Sequence, residues 1–487
     1  MAALGDRRSE EILAVALALA FLVVQIAAFH GVRLDDAYIT YRYSQNLATG
    51  HGFAFNPGDH ILGTTSPGQA LLGAVVYTVV GRGSFPGVMS AIGCAGWTAQ
   101  AVCAYLLLRE AFVRAGAAFV AVAIAAGATR AHAWVPLETH LVCALVLAAF
   151  ALAAHGRWVT CGLVAGLAVV FRGDALVACV PLLAIAVLEL RAGALRPVVA
   201  CVAVLLPWAL FSTAYFGSPL PQTVMAKVGR VPFGIYAGHV FHDLPLNILP
   251  WSRLTDTGTE GTKLTALFGL ALAGAGAVVL ARRSRILAGI VAYGVLLAAA
   301  YLVMRPDPRF GWHTYPVVVV LVLCALAALV ALAERLRPVL ARPLACAVVV
   351  ALAVDPWLFA FSHQDLLWFG MRDRLDQRLA GYLMSVAAPT DLVDSEEVGT
   401  LAYWSGLPML DHPGLVSTGA WPELWAALDG RPSPVKWAVL NGTEYAAFGA
   451  RFEGWPGRRI TELPIGSVNT GAASLTRILF DLRPRAR

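Results

Sequence analysis

The chain has 487 residues, of which 59% are hydrophobic and 14% charged, with a net charge of +6. This composition is too apolar for a soluble enzyme. The positive charge does not indicate nucleic-acid binding, because the arginines lie in short clusters between apolar runs, as expected of cytoplasmic loops. All eight cysteines fall inside apolar runs and form no CxxC motif, which argues against a disulfide framework or a cysteine metal site.

The apolar runs predict membrane-spanning helices, since each is near the roughly 20 residues that a helix needs to cross a bilayer. Twelve segments lie at about 11–29, 66–81, 88–108, 115–130, 138–154, 158–171, 175–190, 198–215, 264–281, 286–304, 315–334 and 341–361. We place the N-terminus on the cytoplasmic side and keep the first apolar segment as a helix that is not cleaved off. All the basic loops then lie on the cytoplasmic side if one segment between 66 and 130 does not cross the bilayer. Segment 115–130, as a re-entrant half-helix, or segment 66–81 could be that one. We therefore predict about eleven crossings.

On this topology, the external side carries residues 31–65, 131–138, 172–174, 216–263 and 305–314 and the tail from 362. The sequence of the tail predicts a small α/β domain, because an amphipathic stretch, Arg372–Ala388, is followed by strand-like runs. These runs are Leu392–Val393, Trp437–Leu440 and Leu475–Leu482. The predicted fold is thus an all-α polytopic membrane domain over residues 1–361 and an external α/β domain over residues 362–487.

Two adjacent carboxylates, Asp35 and Asp36, directly follow the first apolar segment. At a membrane exit such a pair is costly unless it is solvated or paired. Repulsion between the two raises the proton affinity of one, which suits a general base that works near neutral pH. A solvated helix end is the simpler explanation of an acidic pair. The following residues, up to Pro67, are rich in Tyr, Arg, Asn, His and Gly, and this composition favours a functional site.

Several motifs follow one another along the chain. They are Asp35-Asp36-Ala37-Tyr38-Ile39-Thr40-Tyr41-Arg42-Tyr43, Gly50-His51-Gly52, Phe55-Asn56-Pro57-Gly58, Leu137-Glu138-Thr139, Phe171-Arg172-Gly173-Asp174, Tyr215-Phe216-Gly217-Ser218-Pro219-Leu220-Pro221-Gln222-Thr223 with Ala226-Lys227, and Leu401-Ala402-Tyr403-Trp404-Ser405-Gly406. In this order they resemble the GT-C fold glycosyltransferases, and the mycobacterial terminal arabinofuranosyltransferase-like group in particular. The chain departs from that pattern at Pro136, where a Gly is common, and by lacking a Pro after Arg172.

The resemblance implies an inverting transfer of one sugar, arabinofuranose by analogy, from a polyprenyl-phosphate donor to an external glycan, lipid or protein acceptor. It implies a multi-pass protein of the cell (inner or plasma) membrane with an external active face. The acidic residue of the first loop is the family's general base, so Asp35 and Asp36 are the catalytic candidates, and the sequence does not choose between them. The residues form no firm metal site and require no cofactor, although a divalent cation at Asp35–Asp36 stays open, as some GT-C enzymes use one.

The leaving group of such a reaction is a lipid phosphate, whose developing charge a neighbouring cation would stabilise. Lys227 is the first candidate for this contact, and Arg172, Arg305 and Arg309 lie at other external helix ends. Each of these cations could instead reach the lipid headgroups from the interface. The candidate substrate-binding residues are Tyr38, Arg42, Glu138 and His313.

Two other classes of function compete with this hypothesis. A transporter or flippase of lipid-linked sugars would place charges within helices near the bilayer midplane, whereas the charges here gather at one face. A membrane-anchored binding protein would need only one or two crossings. The expected partners are therefore the donor, the acceptor and the lipid bilayer, and no nucleic acid.

Overall fold

The computed structural model describes residues 2–109, 135–229, 231–246, 259–308, 310–335, 364–411, 414–417, 420–441, 444, 447, 449–453, 455, 457–461 and 476–483. Most of these residues are helical. The helices of the first half are α1 (Ala2–Phe29), α2 (Asp35–Ala48), α3 (Pro67–Arg109), α4 (Thr139–Ala154), α5 (Trp158–Phe171), α6 (Leu176–Leu190) and α7 (Leu195–Phe216).

The remaining elements include the strands. They are α8 (Gln222–Lys227), α9 (Phe233–Gly238, continued by a π-helical turn and Leu244–Leu246), α10 (Thr259–Arg283), α11 (Arg285–Met304), α12 (Tyr315–Arg335), α13 (Gln364–Val386), β1 (Leu392–Ser395), α14 (Val398–Ser405), β2 (Met409–Asp411), α15 (Ala420–Leu428), β3 (Val435–Asn441), β4 (Gly457–Thr461) and β5 (Thr476–Asp481).

Long apolar helices make this a multi-pass membrane protein. The described residues contain five stretches that are long and apolar enough to cross a bilayer, namely Pro67–Arg109, Gly173–Phe216, Lys263–Arg283, Arg285–Met304 and Tyr315–Leu332. Shorter apolar helices are Ala18–Phe29, Thr139–Ala154 and Trp158–Phe171. The predicted segments 66–81 and 88–108 lie on one helix, α3, which is interrupted at Gly81 by a φ of 71°. Segments 115–130 and 341–361 lie outside the described residues, so eleven crossings stays a prediction.

The chain divides into two compact units. The helical unit contains Met1–His30, Met89–Ala209 and Lys227–Ser362, and the loop-and-sheet unit contains Gly31–Val88, Leu210–Ala226 and His363–Arg487. The first loop and the Pro-Leu-Pro motif therefore group with the tail in one unit. The predicted boundary between residues 361 and 362 groups them with the membrane domain instead, and it stays a prediction.

Small residues allow close helix packing in the helical unit. Gly166 of α5 lies against the backbone of α7, where an added Cβ would come within 2.8 Å of the carbonyl oxygen of Cys201. Gly162, one turn earlier, meets Pro197 in the same way, and Gly276 of α10 meets Cys324 of α12. Glycine at such positions lets helix backbones approach in a bilayer, where packing and not the hydrophobic effect drives helix association.

The sheet of the loop-and-sheet unit has five strands in the order β2-β1-β3-β5-β4. Strand β1 pairs in parallel with β2 and β3, whereas β5 pairs antiparallel with β3 and β4. Leu440 faces Ile478 across the central antiparallel pair, and both belong to a buried apolar core with Phe452 and Phe480. The strands predicted near 392, 437 and 475 correspond to β1, β3 and β5, and the predicted helix at 372–388 is α13, which begins earlier.

Candidate active site in the first loop

Helix α2 begins at the acidic pair. Its first two residues are Asp35 and Asp36, and Leu34 before them is extended and provides no side-chain cap. Carboxylates in the first turn are favourable because the backbone N–H groups of a helix N-terminus carry partial positive charge. Both residues are half-buried, but their surroundings differ.

Asp35 is held by a second helix, α14. Its carboxylate accepts hydrogen bonds from the backbone N–H groups of Thr400 at 2.7 Å and Gly399 at 3.2 Å. The cap residue of α14 itself, Glu397, makes no such side-chain bond. Asp35 therefore satisfies two N–H groups that the helix leaves unpaired, a type of contact that contributes about 0.5–2 kcal/mol. A side chain at Gly399 would collide with the backbone carbonyl of Asp35, so the two helices touch through their backbones.

Two arginines hold the other end of α14. Arg42 of α2 donates to the carbonyl oxygen of Gly406 at 2.9 Å. Arg82 of α3 donates to the carbonyl oxygens of Tyr403, at 2.7 Å, and Trp404. A carboxylate at the N-terminus and guanidinium groups at the C-terminus both complement the helix dipole. We call Asp35, Arg42 and Arg82 the α14 clamp.

Tyr38 and Arg42, both predicted to bind substrate, have protein partners in the structure. Tyr38 is fully buried, and its hydroxyl donates to the Asp373 carboxylate at 3.0 Å. Besides Gly406, the Arg42 guanidinium reaches the carbonyl oxygen of Phe55 at 3.1 Å and the side chain of Gln45 at 2.9 Å. Burial and the neighbouring Arg82 lower the pKa of Arg42 to about 10. These contacts indicate that both residues fix α2 in place.

Behind Asp35 lies a buried network of four further charges. Arg372 donates to Glu397 at 2.7 Å, and Arg477 forms a two-pronged contact with Asp376 at 2.8 and 3.1 Å. Arg477 also contacts Glu397, and its own side chain is 1% exposed, as is that of Asp376. With Asp35, three carboxylates thus face two guanidinium groups, which leaves one negative charge unbalanced.

Burial, more than this imbalance, shifts the protonation of the network. Burial, and then the Glu397 carboxylate, raise the pKa of Asp35 to about 6, although Arg372 and the Thr400 N–H act against the shift. Burial also raises the pKa of Asp376 to about 7, against the attraction of Arg477. Burial opposes ionisation of Glu397 too, but Arg372 and Arg477 outweigh it and hold its pKa below the ordinary value. Opposite charges favour the ionised form and desolvation disfavours it.

Asp36 stands apart from this network. Within the part of the chain that the structure describes, its carboxylate has no hydrogen bond or ion pair. Asp35 uses both oxygens to hold α14, whereas those of Asp36 have no such partner among the described residues. A general base needs such a carboxylate within reach of the proton that it removes.

The Pro-Leu-Pro motif and the tail pack against the first loop. The backbone N–H of Gln222 donates to the carbonyl oxygen of Leu62 at 3.0 Å, and the Gln222 side chain reaches Gly414 at 3.2 Å. Asn56 exchanges two hydrogen bonds of 2.9 Å with the backbone of Met409. The segments are far apart in sequence, yet they form one packed region. The motif ends with α8 at Lys227, whose side chain lies outside the described residues.

A second charged cluster lies in the helical unit, at the helix ends around Arg172. Its guanidinium contacts both oxygens of Asp174, at 2.9 and 3.1 Å, and lies 3.7 Å from Glu138. It also donates to the carbonyl oxygen of Trp312 at 3.2 Å, and Tyr301 donates to Asp174. Arg172 is 4% exposed. Residues 138, 172–174 and 312 therefore share one end of this unit, and two carboxylates already balance Arg172, which weakens its assignment to a donor phosphate.

The other predicted residues lie near the ends of α11 and α12. Arg305 follows α11 in the left-handed conformation, with a φ of 48°, and is half-buried. His313 is half-buried in the turn before α12, with its ring 5.7 Å from that of Trp312. Arg309 lies outside the described residues. In the described ranges, no group of three or more His, Cys, Asp or Glu side chains is placed to hold a metal ion.

No local pattern marks Arg82, Arg372, Arg477 or Glu397 as neighbours of the first loop. Acidic residues cluster at 391–397, a composition typical of a solvated loop, yet Glu397 is within the buried network. The mixture of acidic and basic residues along α13 is the one local signal for buried charges. A helix with charges on several faces must bury some of them when both of its sides are covered.

No protein-family model matches the chain, and comparison with curated proteins finds no relative in sequence. Solved structures do match. The crystal structure of ArnT from Cupriavidus metallidurans bound to undecaprenyl phosphate aligns with 97% of this chain and 98% of its own, with a TM-score of 0.60 and 14% identity. The chain has the GT-C fold. The apo state of ArnT aligns equally well, over 98% of each chain, with a TM-score of 0.59 and 14% identity.

This likeness confirms the fold predicted from the motifs. It extends over nearly the whole of both chains, so it includes the membrane helices and the sheet. At 14% identity it establishes the fold alone. The arabinofuranosyltransferase-like group that the motifs suggested is not supported by it.

Proposed function

We propose that this protein is an inverting glycosyltransferase that moves one sugar from a polyprenyl-phosphate donor to a hydroxyl group of an external glycan, lipid or protein acceptor. The GT-C fold supports a transferase of this kind, and the ArnT structure that shares it was solved with undecaprenyl phosphate bound. The observation that carries the proposal is the contrast within the acidic pair, in which Asp35 is held by α14 and Asp36 is unengaged among the described residues.

In this mechanism Asp36 is the general base. Its carboxylate takes the proton of the acceptor hydroxyl, whose oxygen attacks the anomeric carbon of the donor sugar. The bond from that carbon to the phosphate oxygen breaks with both electrons, and polyprenyl phosphate leaves. Asp35 does not take part in proton transfer. It fixes the first turn of α2, and thus the direction of Asp36, through its bonds to α14.

The departing phosphate requires a cation. We assign this role first to Lys227, at the end of the Pro-Leu-Pro segment, with Arg305 and Arg309 as further candidates. Arg172 is the weaker choice, because Asp174 and Glu138 already balance its charge. A charge-assisted contact of this type contributes roughly 1.5–3 kcal/mol. Arabinofuranose is the proposed sugar on the strength of the motifs, and the proposed location is the cell membrane with the active face external.

The alternative of a flippase receives less support from the contacts. Polar side chains that carry a lipid-linked sugar across would lie near the middle of the helices. In the described part of the helical unit, the buried Arg172 cluster lies at helix ends.

The test is a transfer assay in proteoliposomes with a panel of radiolabelled polyprenyl-phosphate sugars. We expect the wild type to transfer at least one of them, Asp36→Asn to lose transfer, and Asp59→Asn to keep it. Asp59 is the matched control, because it is another half-buried aspartate of the same loop, and its carboxylate accepts one hydrogen bond among the described residues, from the nearby Asn56 side chain. Transfer by Asp36→Asn at the wild-type rate, with normal folding, would remove the base from the mechanism.

A further inference from the structure

An apolar cleft lies in the helical unit between α5, α6 and α7. Its cavity volume is about 200 Å³. Trp158 and Cys161 line it from α5, Cys179 and Leu182 from α6, and Cys201 from α7. The lining is apolar apart from these thiols and the indole of Trp158.

The cleft opens toward the bilayer. Three of its lining side chains are about half exposed, namely Leu176 at 54%, Leu183 at 45% and Val202 at 48%. On apolar helices that cross a membrane, exposed leucine and valine side chains face lipid. Water would find no polar partners in such a cleft, and an open apolar groove in hydrocarbon does not stay empty. A hydrocarbon chain therefore fills it.

The cleft reaches one end of α5 and α7. Its lining begins at the first residue of α5, Trp158, and near the start of α7, at Pro197. On α6 the lining extends from the first residue, Leu176, to Ala186. Arg172 directly follows the last residue of α5. On α5 and α7 the cleft therefore reaches the end away from the Arg172 cluster, and the basic loops predict that this end is cytoplasmic.

Three arginines are close in sequence to the ends of the helices that line the cleft there. Arg157 and Arg196 directly precede the lining residues Trp158 and Pro197, and Arg191 lies in the turn between α6 and α7. All three are exposed, and none has an ion pair in the described ranges. Glu189 brings one negative charge to the same turn, so a net positive charge remains next to an apolar cleft.

We propose that this cleft binds one anionic phospholipid of the surrounding bilayer. One acyl chain lies between α5, α6 and α7, and the headgroup phosphate lies among Arg157, Arg191 and Arg196. Basic pockets between membrane helices on the cytoplasmic side suit such headgroups. Guanidinium groups pair with phosphate through short, charge-assisted hydrogen bonds. The site is distinct from the proposed active site and does not depend on the proposed function.

The first experiment tests the headgroup. The purified protein is delipidated, incubated with equal amounts of phosphatidylglycerol and phosphatidylcholine, and examined by native mass spectrometry. We expect one phosphatidylglycerol to be retained in preference to phosphatidylcholine. The triple variant Arg157→Gln/Arg191→Gln/Arg196→Gln should lose this preference by roughly tenfold or more, since each basic residue near an anionic lipid surface contributes severalfold.

The matched control is the triple variant Arg282→Gln/Arg283→Gln/Arg285→Gln, which removes the same charge from the turn between α10 and α11. We expect it to retain phosphatidylglycerol as the wild type does. Equal loss in both triple variants would show a general effect of charge and overturn the proposal. Equal retention of the two lipids by the wild type would overturn it as well.

The second experiment tests the cleft. Cys179→Phe fills it with a ring, whereas Cys103→Phe places the same ring on α3, outside the lining. We expect Cys179→Phe to lose both lipids and Cys103→Phe to keep phosphatidylglycerol, with thermal unfolding of each variant as the folding control. Unchanged retention by a folded Cys179→Phe would place the lipid elsewhere.

Discussion

The described residues include two buried charged clusters, and they are built differently. Around Arg172, in the helical unit, neighbouring helix ends bring one guanidinium between two carboxylates, and a tyrosine hydroxyl meets one of these. Around Asp35, in the loop-and-sheet unit, the interacting charges are far apart in sequence, as Asp35 and Arg477 are. The first cluster holds adjacent helices together, whereas the second ties the first loop to the tail.

The comparison teaches where to look for chemistry. Every charged side chain of the Arg172 cluster has a partner, as do those of the Asp35 network. Asp36 differs because it shares the helix turn of the Asp35 network without joining it. A carboxylate that lies next to a rigid set of charges, but is not hydrogen-bonded or ion-paired with them, has a fixed direction and can still accept a proton. Variants can therefore separate the charged side chains that have a structural partner from Asp36, which has none among the described residues.

The largest effect is expected at Asp36. Asp36→Asn should lower transfer by roughly 10²–10⁴-fold, since that is the usual contribution of a general base. Its melting temperature should stay near that of the wild type, because the side chain has no partner in the described residues. In contrast to Asp36→Asn, Asp174→Asn should lower the melting temperature, because Arg172 loses the closer of its two carboxylates. A similar fall in the melting temperature of both variants would contradict the idea that Asp36, unlike Asp174, has no structural partner.

The next effect is one of stability, at Arg477. Arg477→Met leaves Asp376, which is 1% exposed, as an unpaired buried carboxylate. Breaking a buried pair in this way costs about 3–5 kcal/mol in the free energy of unfolding. The double variant Arg477→Met/Asp376→Leu should recover much of the loss, because it also removes the Asp376 carboxylate that the single variant leaves without Arg477. Chemical denaturation in detergent measures both, and a double variant no more stable than the single one would contradict this account.

Gly399 tests the backbone contact between α2 and α14. Gly399→Ala places a methyl group against the carbonyl oxygen of Asp35, which no side-chain rotation can relieve. We expect a loss of about 1–3 kcal/mol in stability, typical of overpacking, and a smaller loss of transfer than in Asp36→Asn. Gly381→Ala is the control, since its Cβ would meet nothing within 4 Å on α13. There alanine should be neutral or stabilise the helix by up to about 1 kcal/mol.

The smallest effect concerns pH. The folded-state pKa of Asp35 is raised to about 6, so the folded protein binds a proton at this residue more tightly than the unfolded chain does. Its contribution to stability is present below pH 4 and is lost as the pH rises through 6. The free energy of unfolding of the wild type relative to that of Asp35→Asn should therefore fall between pH 4.5 and 7.5, by an amount on the order of 1–2 kcal/mol, and chemical denaturation at several pH values measures it. A relative rise with pH would show that the α14 N-terminus outweighs burial.

Local patterns in the sequence predicted the membrane helices, three of the five strands and the acidic pair. Apolar length and alternation are local properties, so α11 and α12 and strands β1 and β3 could be placed from them. The partners of Asp35 could not, because they depend on how the tail folds back on the first loop. The same packing gives Tyr38 and Arg42 their partners Asp373 and Gly406, and substrate binding by these two residues stays a prediction.

The α14 clamp also has a consequence for biosynthesis. Asp35 precedes Gly399 by 364 residues. At roughly 5–20 residues per second, a ribosome needs on the order of 20–70 s to make that stretch. During this time the first loop is without the helix that holds it. A nascent chain stalled before Gly399 should therefore carry a protease-sensitive first loop that becomes resistant only when synthesis passes β5. The proposed active site would thus acquire its geometry only at the end of translation.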